Sequence, residues 1–363
     1  MPDIEILDSY RSMIDKDAQT PLHGQVKSLL SQLMDTTFAA GELFFKEMEV
    51  AERLGVSRPT VRQAMRSLEM EGRIKRSKGY GTIVLKRASA EGSLKSIAVI
   101  LHTYQSESVN TLLDEIDSTC ASSGVEIHVI RYPELEKAAA YLPLLRQQSD
   151  EGVILLTPDD SLARRLIRMG YRVVIREPDV RGESARWVET DNDAVVRLGL
   201  QHLTDLGHKA IALLVTEPEW RRTVADKIQA FRGICSTLGI DGHVVPNPDP
   251  KATESFAAGR ATMAKAWKLA PKPSAVFAVS DFGALGAMSW CAQHNIAVPR
   301  DLSVLGFEGI RSGARVFPPL TSIGHDIPGI ADALIRSLKA GDATNVSVNP
   351  ILVLRSSTDK PRS

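Results

Sequence analysis

The sequence has little cysteine, no long apolar run and no excess of charge of either sign. Its three cysteines, Cys120, Cys235 and Cys291, lie far apart and form no C-x-x-C pair. This argues against a disulfide framework or a zinc finger, and it predicts buried, inert thiols in a reducing compartment. Basic and acidic residues both number 44, so the net charge is zero. Any nucleic-acid site must therefore be a local basic patch.

Targeting, membrane and catalytic signals are also missing. No apolar run approaches the ~18 residues that a membrane span requires. Residues 1–8 are acidic, whereas a signal peptide would begin with a basic stretch and continue with an apolar one. There is no G-x-S-x-G, P-loop or H-E-x-x-H motif and no His and Cys cluster at metal-ligand spacing. We expect a cytoplasmic protein that is not an enzyme and carries no metal and no cofactor.

The 363 residues, 43% of them hydrophobic, suffice for two or three domains. Near the start, Gly55 ends a short predicted helix at residues 47–54, and Ser57 can cap the next helix. One face of that next helix is apolar at helical spacing, through Val61, Met65 and Leu68. Another face carries three arginines spaced by four, Arg58, Arg62 and Arg66. Such a face suits the major groove of DNA, although a surface helix with solvated arginines is the alternative.

A basic hairpin is predicted directly after this helix. Residues 73–84 read as two short strands around a glycine-bearing tip, and no acid interrupts their positive charges. A further helix pattern begins at Pro21. Three helices and a hairpin make a winged helix-turn-helix over residues 21–85, and its wing can lie along phosphates. Residues 1–20 are a polar lead-in without clear assignment, and residues 86–95 are a predicted linker.

Several ordered motifs of this region resemble the N-terminal domain of GntR-family transcription regulators. They are Pro21-Leu22-x-x-Gln25-Val26, Glu47 followed by Leu54-Gly55-Val56-Ser57-Arg58-x-Thr60-Val61-Arg62, then Glu71-Gly72 and Gly79-x-Gly81-Thr82. The resemblance implies that Arg58, Thr60 and Arg62 contact DNA and that Gly79 lies at the wing tip. The whole predicted DNA-binding set is Arg58, Thr60, Arg62, Gln63, Arg66, Lys75, Lys78 and Gly79. The chain departs from the family with Phe45-Lys46 in place of Pro-Ser before Glu47.

From residue 96 onward, short apolar runs alternate with amphipathic helical stretches. Strands are predicted at 97–101, 125–130, 152–156, 172–175, 186–190, 210–215, 275–279 and 302–306, with helices such as 134–147, 161–169, 194–206, 224–238 and 284–294. Apolar strands joined by helix crossovers predict a parallel sheet covered on both faces. Residues 96–363 are too many for one small sheet, so we expect two lobes with a ligand cleft at the carboxyl ends of the strands.

Four motifs of this region resemble the effector domain of LacI/GalR-type regulators. They are Val188-Glu189-Thr190-Asp191-Asn192 with residues 203–212, residues 275–286, residues 298–307, and Pro318-Pro319-Leu320-Thr321-Ser322-Ile323 at a crossover between lobes. The resemblance implies a periplasmic-binding-protein-like fold, so the fold class is α/β with an N-terminal α+β winged helix-turn-helix. A GntR-type reader joined to such a sensor is similar to AraR-type regulators.

Candidate effector ligands follow the predicted strands. Asp281 and Asp191 each come after a strand and open a helix, where a carboxylate can accept hydroxyl hydrogen bonds or simply cap the helix. By its spacing from Phe231, Arg221 corresponds to a family arginine that reaches the effector, and Trp220 can stack on a sugar face. The alternative for this pair is a solvated loop that caps a helix.

The predicted effector set is completed by three residues at strand ends. They are Arg176, Tyr104 and Gln105, for which a place at the rim is the alternative. The sequence thus predicts a homodimeric repressor of sugar-utilisation genes, released from a palindromic double-stranded operator by a small sugar-like effector. The effector class stays open among pentoses, hexoses, uronates and nucleosides. An activator, a corepressor-dependent regulator, a solute-binding protein and an α/β enzyme with an accessory domain are the alternatives.

Overall fold

The computed structural model describes residues 4–15, 21–38, 41–70, 73–77, 81–84, 94–102, 106–132, 152–180, 185–249, 254–339 and 345–362. The chain divides into two compact units, Met1–Leu94 with Ser161–Val173 and Lys95–Asp160 with Val174–Ser363. Outside the described residues lie the predicted wing tip, the linker at 86–93 and the predicted helix at 134–147. Within the described ranges, no helix has the length and apolar character needed to cross a membrane.

The N-terminal unit contains three helices and a small antiparallel sheet. The helices are α1 (Leu22–Thr37), α2 (Glu47–Leu54) and α3 (Arg58–Met70), and the strands are β1 (Leu43–Phe44), β2 (Ile74–Ser77) and β3 (Gly81–Val84). The strands are ordered β1-β3-β2, so β1 adds a third strand to the predicted hairpin. A 3-10 helix, Ile4–Met13, lies in the lead-in for which the sequence pattern offered no assignment.

The turn between α2 and α3 forms as predicted. Gly55 caps α2 in the left-handed region at φ 65°, where a side chain would be strained. The Ser57 hydroxyl accepts a hydrogen bond from the Thr60 amide at 3.3 Å, which confirms the predicted cap. Val61, Met65 and Leu68 are fully buried against side chains of α1 and α2. This burial fixes which face of α3 is left for solvent.

A six-stranded sheet and its helices form what we term the first lobe. Its strands are ordered β14-β8-β7-β6-β4-β5. The bounds are β4 (Ser96–His102), β5 (Glu126–Tyr132), β6 (Gly152–Leu155), β7 (Arg172–Arg176), β8 (Arg186–Thr190) and β14 (Val346–Val348). Its helices include α4 (Glu107–Ser122) and α10 (Ile327–Lys339), and α10 packs on α4 and β8. The helix α5 (Asp160–Arg168) precedes β7 in the chain. The strand pairs for which a register is described are parallel, as predicted.

A second six-stranded sheet, ordered β10-β9-β11-β12-β13-β15, forms the second lobe. Its strands are β9 (Ala210–Leu214), β10 (Asp241–Val245), β11 (Ala275–Ala278), β12 (Ser303–Glu308), β13 (Thr321–Gly324) and β15 (Ile351–Val353). Its helices are α6 (Asn192–Asp205), α7 (Arg222–Leu238), α8 (Ser255–Ala266) and α9 (Asp281–Gln293). Only β15 runs antiparallel to its neighbour in the described ladders of this sheet.

The two faces of the second sheet are packed differently. Alternate residues of β9 point to opposite faces: Ile211 and Leu213 pack under α6 and α7, whereas Ala212 and Leu214 pack under α8 and α9. The helices α8 and α9 touch through their backbones, because a Cβ at Gly286 would overlap the carbonyl group of Phe256. Both faces are therefore sealed.

The described chain passes between the lobes three times. It leaves β8 for α6, returns from β13 to α10, and moves from β14 to β15. The sequence pattern put the return at residues 318–323, but Thr321–Gly324 is a buried strand of the second lobe and the return follows it. At each of the first two passages a strand of one lobe ends at the junction with the other lobe.

Candidate functional site

The exposed face of α3 is the first candidate site. Arg58, Arg62 and Arg66 are all exposed along it, together with Gln63, while Thr60 is half-buried. At 1.5 Å rise per residue, Arg58 to Arg66 spans about 12 Å, comparable to the width of the major groove. Like charges at four-residue spacing destabilise a helix, so this row does not serve the stability of α3.

A single acid orients part of this basic surface. Glu47, at the start of α2, accepts a hydrogen bond from Arg62 Nε at 3.2 Å and one from Arg76 Nη1 at 2.8 Å. Arg76 is thereby turned inward, and its Nε lies 3.4 Å from Glu69. Within the part of the chain that the structure describes, Arg58 and Arg66 make no side-chain hydrogen bond or ion pair.

The predicted wing contributes less charge to the surface than its sequence indicates. Lys75 is exposed, as predicted. Arg73 and Arg76 instead bind side chains of the same unit, since Arg73 Nη1 donates to Ser31 Oγ at 2.9 Å. Lys78 and Gly79, predicted at the wing tip, lie outside the described residues.

The second candidate site lies where the two lobes meet. Six polar residues at the ends of β7, β8, β12 and β13 and on α7 form what we call the junction cluster. They are Arg176, Glu177, Thr190, Lys227, Glu308 and His325. Arg176 is only 6% exposed. Its Nη2 donates to Thr190 Oγ1 at 3.1 Å and lies 3.4 Å from His325 Nδ1. Its Nη1 lies 2.5 Å from the Glu177 carboxylate, without the alignment of a hydrogen bond.

Lys227 is a member that sequence reasoning missed. It is 5% exposed, its Nζ donates to the Thr223 carbonyl at 3.3 Å, and it stands 4.3 Å from the centroid of the Phe307 ring. Lys227 lies four residues before Phe231 on the buried face of α7. A lysine on the apolar face of a predicted helix was the signal that could have identified it.

The electrostatics of the junction cluster follow from burial. Burial lowers the pKa of Lys227 to about 8, against the attraction of Glu177 and Glu308. Burial, reinforced by Asp281 and Glu217, raises the pKa of Glu308 to about 8. Burial and the charge of Arg176 lower the pKa of His325 to about 3. Burial alone would raise the pKa of Glu177, but the charges around it, that of Arg176 foremost, lower it to about 2.

Two predicted effector residues on the same loop do not join this cluster. Arg221 has a side chain that is 45% exposed and lies 3.7 Å from Glu217. Trp220 is 71% exposed and makes no ring contact in the described part of the chain. The buried cation of this segment is Lys227, and a contact of Arg221 with the effector stays a prediction. Tyr104 and Gln105 lie outside the described residues.

Asp281 is not at the edge of the cleft, where the sequence pattern placed it. It is fully buried, and its carboxylate accepts hydrogen bonds from Ser322 Oγ at 2.6 Å and from the Ile310 amide at 2.8 Å. Burial raises its pKa to about 6. The carboxylate therefore joins β13 to the segment after β12.

Asp191 also serves the fold. Its Oδ1 accepts a hydrogen bond from the Ala194 amide at 3.0 Å, so it is the N-cap of α6. It lines a cavity of about 780 Å³ between α6 and α7, whose walls also include Asp193, Asp226 and Ser347. None of the six residues of the junction cluster lines this cavity. The cavity is therefore separate from the junction cluster.

Other contacts tie the lobes together around the junction cluster. Arg222, at the start of α7, donates from Nε to the Pro178 carbonyl at 2.8 Å and from Nη2 to Glu189 at 2.5 Å. On the other side, Ser108 Oγ donates to Glu308 at 3.3 Å and the Ser312 amide donates to Glu107 at 3.0 Å. A change in the junction cluster is therefore connected to contacts that set the position of the lobes.

The cysteines are buried free thiols, as predicted. Burial raises the pKa of Cys235 to about 11 and that of Cys291 to about 12, so both stay protonated. Within the described ranges, no group of three or more His, Cys, Asp or Glu side chains is placed to hold a metal ion.

Two protein families match different parts of the chain. The family described as "Bacterial regulatory proteins, gntR family" matches residues 24–84, and the family described as "Periplasmic binding protein-like domain" matches residues 200–358. The chain joins a gntR-type regulatory domain to a periplasmic binding protein-like domain. The first match covers α1 to β3, and the second covers all of the second lobe's sheet and the return to β14.

Curated proteins similar to this chain are transcription regulators. The "HTH-type transcriptional repressor PurR" of Mannheimia succiniciproducens is 25% identical over 302 residues, which are 77% of this chain and 86% of that protein. The "HTH-type transcriptional regulator MalR" of Streptomyces coelicolor is 30% identical over 183 residues, half of this chain and 53% of that protein. The chain is a DNA-binding transcription regulator, and the prediction that it is not an enzyme agrees with these relatives.

Solved structures confirm the predicted fold of the regulator. A LacI family transcriptional regulator from Enterococcus faecium with bound ribose has a TM-score of 0.61 at 21% identity, over 74% of this chain and all of that one. A LacI family regulator CCPA from Weissella paramesenteroides with bound sucrose has a TM-score of 0.62 at 18% identity, over 73% of this chain and 99% of that one.

Proposed function

We propose that this regulator is a cytoplasmic, homodimeric repressor that binds a palindromic operator through α3 and is released from it by a small hydroxylated effector. The observation that supports it most is the pairing of an exposed arginine row on a helix with a buried polar cluster between two lobes. Neither feature serves the stability of the fold, because like charges repel along a helix and buried charges cost free energy to desolvate.

The DNA half of the proposal rests on α3 and Lys75. Arg58 and Arg66 are exposed and have no side-chain partner among the described residues, so their guanidinium groups are available to guanine or to phosphates. Arg62 is held by Glu47, which limits its orientations before DNA arrives. A homodimer would place two such helices in successive major grooves of a palindromic site.

The effector half rests on the junction cluster. Its members come from both lobes, so a ligand held there makes contacts that depend on how the lobes are arranged. Relatives of known structure carry ribose or sucrose, which supports a sugar-like effector. The effector must bind the DNA-incompetent state more tightly, and a tenfold loss of operator affinity requires about 1.4 kcal/mol of coupling.

The test uses the full-length protein. Selection from a random duplex library yields the preferred site, and fluorescence anisotropy then measures affinity for it. We expect Arg66→Ala to weaken binding by about 1–3 kcal/mol, roughly 5- to 150-fold, through loss of a base or phosphate contact. The matched control is Arg336→Ala, which removes a 69% exposed arginine from α10. Equal operator affinity in the two variants would refute the assignment of α3.

The response to effector is measured on the same duplex with a panel of sugars at constant salt. We expect one or more sugars to lower operator affinity at least tenfold. A sugar that binds but strengthens operator affinity would identify a corepressor and overturn release as the mechanism.

A further inference from the structure

We propose that the effector of the junction cluster carries a carboxylate, as a sugar acid does, and that Glu177 occupies the place of this carboxylate in the structure. The inference rests on the proposed function and specifies its ligand class. It starts from three features of the cluster, which are an excess of cations, an acid with a strained backbone, and a short, poorly aligned contact between this acid and Arg176.

The cluster holds more positive than negative charge near neutral pH. Arg176 and Lys227 are cations, and Glu177 is an anion. Glu308, with its raised pKa, is protonated, and His325, with its lowered pKa, is neutral. Two buried cations thus face one carboxylate.

The neighbouring acids are directed at other groups. Asp281 accepts from Ser322 and Ile310. Glu217 accepts from Ser255 and pairs with Arg221. Asp226 pairs with Arg222. A monoanionic ligand is therefore favoured by the field of the cluster.

Glu177 makes an imperfect partner for these cations. Its φ of 51° lies in the left-handed region, which is unfavourable for a residue with a side chain. Its carboxylate approaches Arg176 Nη1 to 2.5 Å, and this contact lacks the alignment of a good hydrogen bond. Glu308, at the end of β12, is a second non-glycine residue with positive φ, at 121°. Backbone strain on both sides of the cluster is typical of a site built for a ligand.

Exchange of one carboxylate for another is also physically feasible. About a third of the Glu177 side chain is exposed (32%), whereas Arg176 and Lys227 are nearly fully buried. Glu177 can rotate into solvent while a ligand carboxylate takes its position, and the charge of the buried groups stays the same. A planar carboxylate can then receive the two parallel bonds that a guanidinium group offers. Thr190 and the protonated Glu308 remain as partners for hydroxyl groups.

The first experiment tests the anion position with acetate as the probe. Glu177→Gly removes the carboxylate and suits the left-handed backbone, so it should fold. We expect acetate to raise the melting temperature of this full-length variant saturably, beyond chloride at equal ionic strength, and to leave the parent protein unchanged. Adding Lys227→Met should abolish the response. If acetate acts no differently from chloride on Glu177→Gly, the proposal is overturned.

The second experiment compares sugar acids with their neutral parents by isothermal titration calorimetry. The probes are D-glucuronate and D-galacturonate against D-glucose and D-galactose, with glucose 6-phosphate as the other anion. We expect each acid to bind at least tenfold more tightly than its neutral parent, and at least tenfold more tightly again to Glu177→Gly. Equal or tighter binding of the neutral sugars, or of the phosphate, would overturn the inference.

The two proposals can fail separately. A neutral sugar that releases the operator while the acids do not would leave the proposed function in place and refute the acidic ligand. An acetate response in a protein that selects no DNA sequence would support the acidic ligand and refute the proposed function.

Discussion

The replacement of Asp281 by alanine separates a structural role from a ligand role. In the structure, the Asp281 carboxylate accepts hydrogen bonds from Ser322 Oγ and from the Ile310 amide, and all three groups are buried. Alanine leaves both donors without this acceptor. A buried donor without a partner costs about 1–3 kcal/mol, which gives about 2–6 kcal/mol for the pair.

The lower half of that range applies to Asp281→Ala. The Ser322 hydroxyl has a second, longer acceptor in the Ile323 carbonyl at 3.4 Å, and a rotation can recover part of the loss. We therefore expect a decrease of about 2–4 kcal/mol in the free energy of unfolding. At about 2–4 °C per kcal/mol for a domain of this size, the melting temperature should fall by roughly 4–16 °C.

The assay is urea unfolding followed by circular dichroism, with calorimetry for the melting temperature. The matched control is Asp332→Ala, which removes an aspartate that is 58% exposed and paired with Arg336, and it should cost less than about 1 kcal/mol. Asp281→Asn keeps one acceptor and should lose about half as much as alanine. Surface substitutions commonly change the free energy of unfolding by up to about 0.5 kcal/mol. A change no larger than this in Asp281→Ala would refute the reasoning.

Two further predictions concern packing and pH. Gly286→Ala should destabilise the second lobe by about 1–3 kcal/mol, because its Cβ would overlap the Phe256 carbonyl. The control Gly233→Ala, in the open part of α7, should stabilise this lobe by up to about 1 kcal/mol. Equal effects of the two variants in chemical denaturation would contradict the backbone contact of α8 and α9. Burial raises the pKa of Glu308 to about 8 from 4.5, so Glu308 keeps its proton to a higher pH in the folded state than in the unfolded state. The free energy of unfolding should therefore fall as pH rises from about 6.5 to 8, by at most about 1.4 kcal/mol per pH unit. Glu308→Gln should remove the part of this fall that comes from Glu308. The lowered pKa values of His325 and Lys227 act in the opposite direction and are present in both proteins. An unchanged slope would count against the raised pKa of Glu308.

Local signals were sufficient for most of the architecture. The turn at Gly55, the cap at Ser57 and the buried face of α3 depend on φ, on a short-range hydrogen bond and on helical periodicity, all of which are written in neighbouring residues. The apolar strands of the two sheets were readable for the same reason. Short or polar elements were not: Thr321–Gly324 contains a threonine, a serine and a glycine after two prolines, yet it is a fully buried strand.

The candidate site was only partly readable, because its residues are selected by tertiary neighbours. Asp191 and Asp281 occupy equivalent positions in their sequence patterns, after a strand and before a helix. In the fold, one caps a helix and the other is buried among β13 and the segment after β12. Lys227 becomes a buried cation only because Phe307 and the junction cluster cover it. No spacing rule within α7 contains that information.

The three passages between the lobes have a consequence for synthesis on the ribosome. The first sheet receives its edge strand β14 from residues 346–348, which are made after nearly all of the second lobe. Until then β8 carries an open edge, which is a template for pairing with other chains. The second lobe is thus an insertion within the first, and the nascent protein depends on residues 346–353 for the edge strands β14 and β15. A premature stop near residue 340 would release a chain in which β8 and β13, in place of the short strands β14 and β15, lie at the sheet edges.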